Sequence, residues 1–383
     1  MDNLNEMKSV MGGIGWPIDR APQQRGNLEL PAGTVIVSAD NHWSVGDDIF
    51  YKRFPAYLKD RAPRVWTDGS GAVNWEFGGK PMLPPHFQQV LATFERMPGC
   101  IAIEPRLRDL DKEGVQKEIV FGNAVTAMIA YPDVDVREWV YRIYNEHLAE
   151  MAALAPGRFF GVGMINVWDM SKVRESIAEV KALGLKSYLL PQFPKGEAGV
   201  SLNYSAPEMA PLWEAAEEAG LPICFHVGEV FHDGPGGLAT TAMVNHSPFR
   251  KNLGELIFGG IFDRHPSLQV VFAEADLNWV PGALQTATMI CEGYGSLLQP
   301  KIKLNPREYW NRNCYATFMF DPAGMSMLEM IGADRVMWTS DYPHIESTYG
   351  YSWSAIKAVV DAVPPHDARM ILGGTATKVF RLQ

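Results

Sequence analysis

Short apolar runs recur along the chain, each bounded by turn-forming residues, and most are followed by a longer stretch whose apolar positions fall three and four apart. The runs cover residues 34–39, 118–121, 159–165, 187–190, 222–226, 268–272, 315–320 and 335–339. Runs of this length, rich in β-branched and aromatic residues, predict strands. The intervening stretches, such as 136–154 and 209–219, have the period of amphipathic helices. Strand–helix alternation of this kind predicts a parallel sheet covered by helices, and eight repeats favour closure into a (β/α)₈ TIM barrel over an open doubly wound sheet. Residues 33–383 are thus expected to form one barrel domain, preceded by an arm over residues 1–32. Two stretches are too long for ordinary connections: the insertion 43–115 after the first strand, and 229–250 with its Gly234-Pro235-Gly236-Gly237 phrase. Long segments inside compact domains tend to carry function, so both are candidate lids or substrate walls.

Composition narrows the class without changing the fold. The 383 residues are 47% hydrophobic and 20% charged, which suits a globular chain with a substantial core. No run reaches the roughly 18 apolar residues of a membrane helix. The opening Met1-Asp2-Asn3-Leu4-Asn5-Glu6 lacks the basic and apolar regions of a secretory signal, so a cytoplasmic location is expected. A formal charge of −10 disfavours nucleic acid as a partner and leaves a small molecule as the expected one. Cys100, Cys224, Cys291 and Cys314 form no close pair and are expected to be reduced, buried small hydrophobes.

The chemistry is carried by polar residues at the ends of the apolar runs. Asp40 and His42 stand two apart, so strand alternation points both the same way, where a carboxylate and an imidazole can share a divalent cation. An Asx turn is the ordinary alternative. His226 and Glu274 end the fifth and sixth runs, and Asp341 stands where the last strand breaks. Each has a bland reading alone: a satisfied core histidine, an ion-paired acid, a turn-capping aspartate. Together they differ, because Asp40, Glu274 and Asp341 gathered at one barrel mouth would repel without a compensating cation. Histidine plus carboxylate donors suit zinc, manganese or iron better than magnesium, with zinc the first expectation. His86, His232 and His246, in the long segments, are candidate substrate contacts. Trp43, Trp66, Trp75, Phe77 and Phe87 could wall a ring-shaped substrate, although packing is their commoner role. His147, His265 and His366 are expected at the surface or as caps.

These residues sit in recognisable phrases. Ser38-Ala39-Asp40-Asn41-His42, Pro105-Arg106-Leu107-Arg108-Asp109-Leu110-Asp111, Pro156-Gly157-Arg158-Phe159, Pro222-Ile223-Cys224-Phe225-His226-Val227-Gly228, Phe262-Asp263-Arg264-His265-Pro266, Trp279-Val280-Pro281 and Thr339-Ser340-Asp341-Tyr342-Pro343-His344 follow one another from residue 34 onward. In them the chain resembles the amidohydrolase-related family, which includes the metal-dependent decarboxylases related to aminocarboxymuconate semialdehyde decarboxylase. The resemblance implies a distorted (β/α)₈ barrel, one divalent ion held by Asp40, His42, His226 and Asp341, and association into a homo-oligomer. The chain departs from the pattern twice. Asp-x-His replaces the His-x-His of many members, and Glu274 stands where many place a histidine on the sixth strand.

The expected activity is nonoxidative decarboxylation of an aromatic or unsaturated cyclic carboxylic acid. Asp341 would deliver the proton, with Glu274 or His344 orienting it or the substrate, and Trp43 would join the candidate histidines in binding. The alternative is hydrolysis of a lactone, amide or related bond through metal-activated water. A metal-stabilised scaffold without turnover is a minor third.

Overall fold

A computed structural model describes residues 25–46, 48–69, 73–81 and 97–382. His86, Phe87 and most of the expected arm therefore lie outside the described residues. Eight strands form one parallel sheet in chain order: β1 (Val37–Trp43), β5 (Lys117–Gly122), β6 (Phe159–Met164), β7 (Ser187–Leu189), β8 (Ile223–His226), β9 (Val270–Ala273), β10 (Cys314–Phe318) and β11 (Val336–Trp338). All eight are buried along their length but for Lys117 at the start of β5, as expected of strands filled by side chains within and covered by helices without. Each expected run is a strand, with ends displaced by up to a few residues.

The largest displacement is in β1. The expected run ended at Ala39, yet pairing with β5 continues to Trp43 opposite Gly122, after an irregularity between Ser38 and Asn41. Both polar side chains are fully buried. The Asn41 amide is partnered, its Nδ2 donating to Glu118 Oε2 at 2.6 Å, while the Asp40 carboxylate faces the His226 imidazole 3.4 Å away.

The sheet closes between β11 and β1 without a regular ladder. The Asp341 N–H donates to the Asp40 carbonyl at 3.0 Å and the His42 N–H to the Tyr342 carbonyl at 2.7 Å. The Ser340 N–H donates to Ser38 Oγ at 2.8 Å, and Asn41 Oδ1 accepts from Ser38 Oγ, Ser340 Oγ and the Tyr342 N–H. These bonds fasten the segment bearing Asp341 to the strand bearing Asp40 and His42.

The insertion after β1 is more ordered than a plain loop. Strands β2 (Arg64–Thr67), β3 (Val73–Phe77) and β4 (Lys80–Pro81) make a small antiparallel sheet. Trp75 and Phe77 are buried in it, against Phe50 and Tyr131 respectively, which fits the packing role of these aromatics. Among the described residues, no helix is long and apolar enough to cross a membrane.

Candidate metal centre

The ends of β1, β8, β9 and β11 bring six ionisable side chains together. His42 Nε2 lies 3.1 Å from Asp341 Oδ1 and 3.6 Å from Asp40 Oδ1, while His226 Nε2 lies 3.4 Å from both Asp40 Oδ2 and Glu274 Oε2. His344 stacks on His42 with ring centroids 3.7 Å apart, its Nδ1 3.3 Å from Asp341 Oδ1. Asp40, His42, His226 and Glu274 offer donor atoms within 4.8 Å of one another, as do His42, Glu274, Asp341 and His344.

Local backbone explains the convergence. Glu274 and Asp341 both have left-handed φ, 48° and 59°, immediately after β9 and three residues beyond β11. A non-glycine residue there is uncommon, and such backbone concentrates where the surroundings hold a functional side chain in place. The Glu274 N–H is tied to Thr317 Oγ1 at 2.8 Å on the neighbouring β10.

Both carboxylate oxygens of Asp40 and of Asp341, and Nε2 of His42 and of His226, are buried with no hydrogen-bond partner. Buried polar atoms are normally satisfied, so a cluster of orphans needs a reason. Donors about 2.0–2.2 Å from a shared tetrahedral zinc stand about 3.3–3.6 Å from each other. The 3.1–3.6 Å contacts here are close to that spacing. The tautomer also fits: His226 Nδ1 lies 2.9 Å from the Val227 carbonyl, so a proton donated there leaves Nε2 free as a ligand. The donor set fits one divalent cation.

The electrostatics express a surplus of negative charge. Burial and the adjacent Asp341 carboxylate push Glu274 well above the usual carboxylate range. Burial pulls His226 and His344 down, but Asp40 outweighs it for the first and Asp341 for the second, raising His344 to about 9. His42 is held well below its ordinary value by burial and by His344 beside it, which keeps it a neutral donor.

The cluster opens into a cavity of about 230 Å³. Its floor is His42, His226, Glu274, His344 and Glu346, and its walls include Phe231, Leu238 and Thr241 from the 229–250 segment, one of the two expected lids. The candidate substrate contacts fare differently. Trp43 does not line this cavity: it follows His42 and points to the opposite face, fully buried, its Nε1 donating to His147 Nε2 at 3.0 Å. That contact corrects two expectations, since His147 is buried in the helix layer rather than at the surface. His232 is exposed and lines a neighbouring cavity that shares Leu238 and Ala242 with this one, not the cavity over the cluster itself. His246 lies against the backbone of Glu274 and near Asp321, behind the cluster. Cys224 is buried with its thiol 3.0 Å from Ser187 Oγ and pushed up to about 12, the inert state expected, whereas Cys291 is only partly buried.

Asn123 and Glu346 were not anticipated. Asn123 Oδ1 meets His344 Nε2 at 2.9 Å while its Nδ2 donates to Ser44 Oγ at 2.8 Å, so His344 is held from both ring nitrogens. The available signal was position, because Asn123 directly follows β5 as His226 ends β8.

A profile of the family described as amidohydrolase matches residues 97–382. The gamma-resorcylate decarboxylase of Polaromonas sp. is 24% identical over 288 residues, which cover 72% of this chain and 86% of that one. An amidohydrolase structure from Mycobacterium avium subsp. paratuberculosis superposes with a TM-score of 0.73 at 18% identity, over 92% of this chain and 99% of that one. A dihydroxybenzoic acid decarboxylase from Polaromonas sp., solved with manganese and the inhibitor 2-nitroresorcinol, gives 0.66 at 19% identity, over 91% and 97%.

Proposed function

Since the chain belongs to the amidohydrolase family, we propose that it is a metal-dependent, nonoxidative decarboxylase of a small aromatic or unsaturated cyclic carboxylic acid. The observation that carries this reading is the cluster of orphaned carboxylate and imidazole atoms opening on a cavity of single-ring size. The decarboxylase relatives support it. Asp40, His42, His226 and Asp341 would hold the ion. Zinc is assigned first from the two imidazoles, with manganese, present in the Polaromonas structure, as its competitor. When bound, the ion supplies Lewis-acid positive charge that favours a substrate carboxylate and an adjacent oxygen.

The remaining chemistry belongs to the side chains. As the bond to the carboxylate breaks, its electron pair stays on the ring carbon, carbon dioxide leaves, and the carbon takes a proton from Asp341. His344, which stands 3.3 Å from Asp341 Oδ1 with its other ring nitrogen held by Asn123, restores it. Glu274, facing the cavity, orients the bound acid. Homo-oligomeric assembly belongs to the same reading and is checked by sedimentation.

Hydrolysis is the second reading, favoured by the family's description. Incubation of zinc- or manganese-loaded protein with carboxyl-labelled hydroxybenzoates and, separately, with lactones and amides decides between them. Labelled carbon dioxide supports decarboxylation. Ring opening of lactones with no labelled gas sinks it.

A further inference from the structure

A second cavity of about 550 Å³ adjoins the first, and the two share Thr126, Ala127, His226, Val227, Gly228 and Phe231 as a common wall. His226 therefore serves both chambers. The first chamber has room for little more than one ring. The second is by itself within the roughly 300–1,000 Å³ of ordinary ligand pockets.

Its lining is mostly apolar, with Ile129, Met164, Ile165, Leu189 and Pro191 contributed from the ends of β6 and β7 and the turn after β5. Polar groups interrupt it: Thr126 and His226 on the shared wall, Lys195 and Ser201, and the pair Tyr141 and Glu229. Tyr141 is 4% exposed and its hydroxyl is buried with no partner. A buried hydroxyl without a partner has lost hydration and gained nothing in return, so it is a standing acceptor or donor for whatever enters. Glu229, three residues beyond His226, accepts the Gln192 N–H at 2.5 Å through Oε1 and the Phe193 N–H at 3.1 Å through Oε2. Each oxygen keeps a lone pair beyond those bonds. Burial raises this carboxyl to about 7, and Tyr141 lies close enough to sense its charge. The mechanism above uses neither residue.

We propose that this second chamber is a substrate lobe, and that the substrate is an elongated acid: the carboxylate-bearing ring sits at the metal centre, and an apolar ring or arm ending in a hydroxyl reaches Tyr141 and Glu229. The inference rests on the decarboxylase reading for the reacting end only. The far end is assigned by the lining. A hydroxyl suits it because it can donate to Glu229 and accept from Tyr141 at once. An apolar arm suits the stretch along Ile129, Met164, Ile165, Leu189 and Pro191, which offer it no polar partner, and makes no use of Lys195 or Ser201. Specificity for the hydroxylated acid follows, since an analogue lacking it leaves both groups unpaired.

The test is calorimetric binding to zinc-loaded protein, which does not depend on turnover. Three ligands are compared: salicylate, a salicylate bearing a phenyl ring para to its hydroxyl, and the same compound with a p-hydroxyl on the added ring. The expected order of Kd places the hydroxylated long acid at least tenfold tighter than the phenyl analogue, and that analogue tighter than salicylate. In Tyr141→Phe the ratio between the two long acids falls to threefold or less. Ile129→Trp, which fills the chamber from the turn after β5, reduces the advantage of both long acids over salicylate. If Ile129→Trp fails to fold, Tyr141→Phe still decides. Equal affinity of all three ligands, or no binding by any, overturns the lobe, and an unchanged ratio in Tyr141→Phe overturns its hydroxyl assignment. Carbon dioxide release from salicylate is followed in parallel. Its absence counts against the decarboxylase reading and leaves the binding ratios to judge the lobe.

Discussion

Arg106 and Glu118 meet behind β1 with neither side chain exposed, Nε and Nη2 of the arginine each donating to a different oxygen of the glutamate at 2.7 Å. The pair does more than neutralise itself. Arg106 Nη1 donates to the carbonyl of His42 at 2.8 Å, and Glu118 Oε2 also accepts from Asn41 Nδ2 at 2.6 Å. Asn41 in turn receives the Tyr342 N–H. One buried ion pair thus fixes the backbone of a metal-site histidine and, through Asn41, the segment carrying Asp341.

Removing one member should cost far more than removing both. Arg106→Met leaves Glu118 charged and buried, for which about 3–5 kcal/mol is typical. The paired change with Glu118→Met removes the stranded charge and should recover part of that loss. Urea unfolding of the two single variants and the double variant measures the coupling. A sum of independent effects would show that the pair does not act as a unit.

The metal centre should be a stability element whose sign depends on the ion. Loaded protein gains RT ln(1 + [L]/Kd), about 4 kcal/mol at a thousandfold excess over Kd, and chelation removes it. Asp40→Asn should lower both the metal content by elemental analysis and the Tm of loaded protein. In chelator-treated protein the same change should raise Tm, because it relieves repulsion among Asp40, Glu274 and Asp341. An identical Tm shift with and without chelator counts against a shared ion.

The barrel was legible from the sequence because each strand is a short apolar run and each connection a helical period, signals that need no tertiary information. The cluster was legible for a related reason: Asp40, His42, His226, Glu274 and Asp341 all interrupt or end such runs, and polar residues there are costly unless they meet. What could not be read were partnerships across the fold. Alternation gives Asp40 and His42 one face, and it also sends Trp43 to the other, but only the packing of the 134–154 helix turns Trp43 toward His147. Arg106 and Glu118 lie on a helix and a strand whose mutual burial no local pattern encodes. Tyr141 reads as one more apolar position on a helical stripe.

Glu229 should make stability depend on pH in a defined direction. Its carboxyl is raised from an unfolded value of about 4.3 to about 7, chiefly by burial. A raised group contributes fully below its unfolded pKa, and that contribution is lost as pH rises through the folded one. Between about pH 4.3 and 7 the folded chain keeps a proton that the unfolded chain has released, a slope of at most about 1.4 kcal/mol per pH unit. Unfolding at pH 5 and pH 8 should therefore show a smaller pH difference in Glu229→Gln than in the parent. An equal difference would mean that Glu229 does not titrate in that window.

Asp341→Asn separates the roles assigned at the reacting end. The amide keeps an oxygen toward His42 but has no acidic proton to give, so kcat should fall by roughly 10²–10⁴-fold, the range for loss of a general acid. Glu274→Gln, altering a group that lines the cavity, should instead act first on KM. His344 stands 3.3 Å from Asp341 and is itself held by Asn123. Asn123→Ala should then lower kcat about 10–100-fold, the scale of outer-shell losses, while leaving metal content unchanged. Product formation in labelled water provides the check: the hydrogen entering at the former carboxyl carbon should come from solvent through Asp341. If Glu274→Gln abolished kcat while Asp341→Asn retained it, the proton would belong to the strand-end glutamate, and Asp341 would be left as a ligand alone.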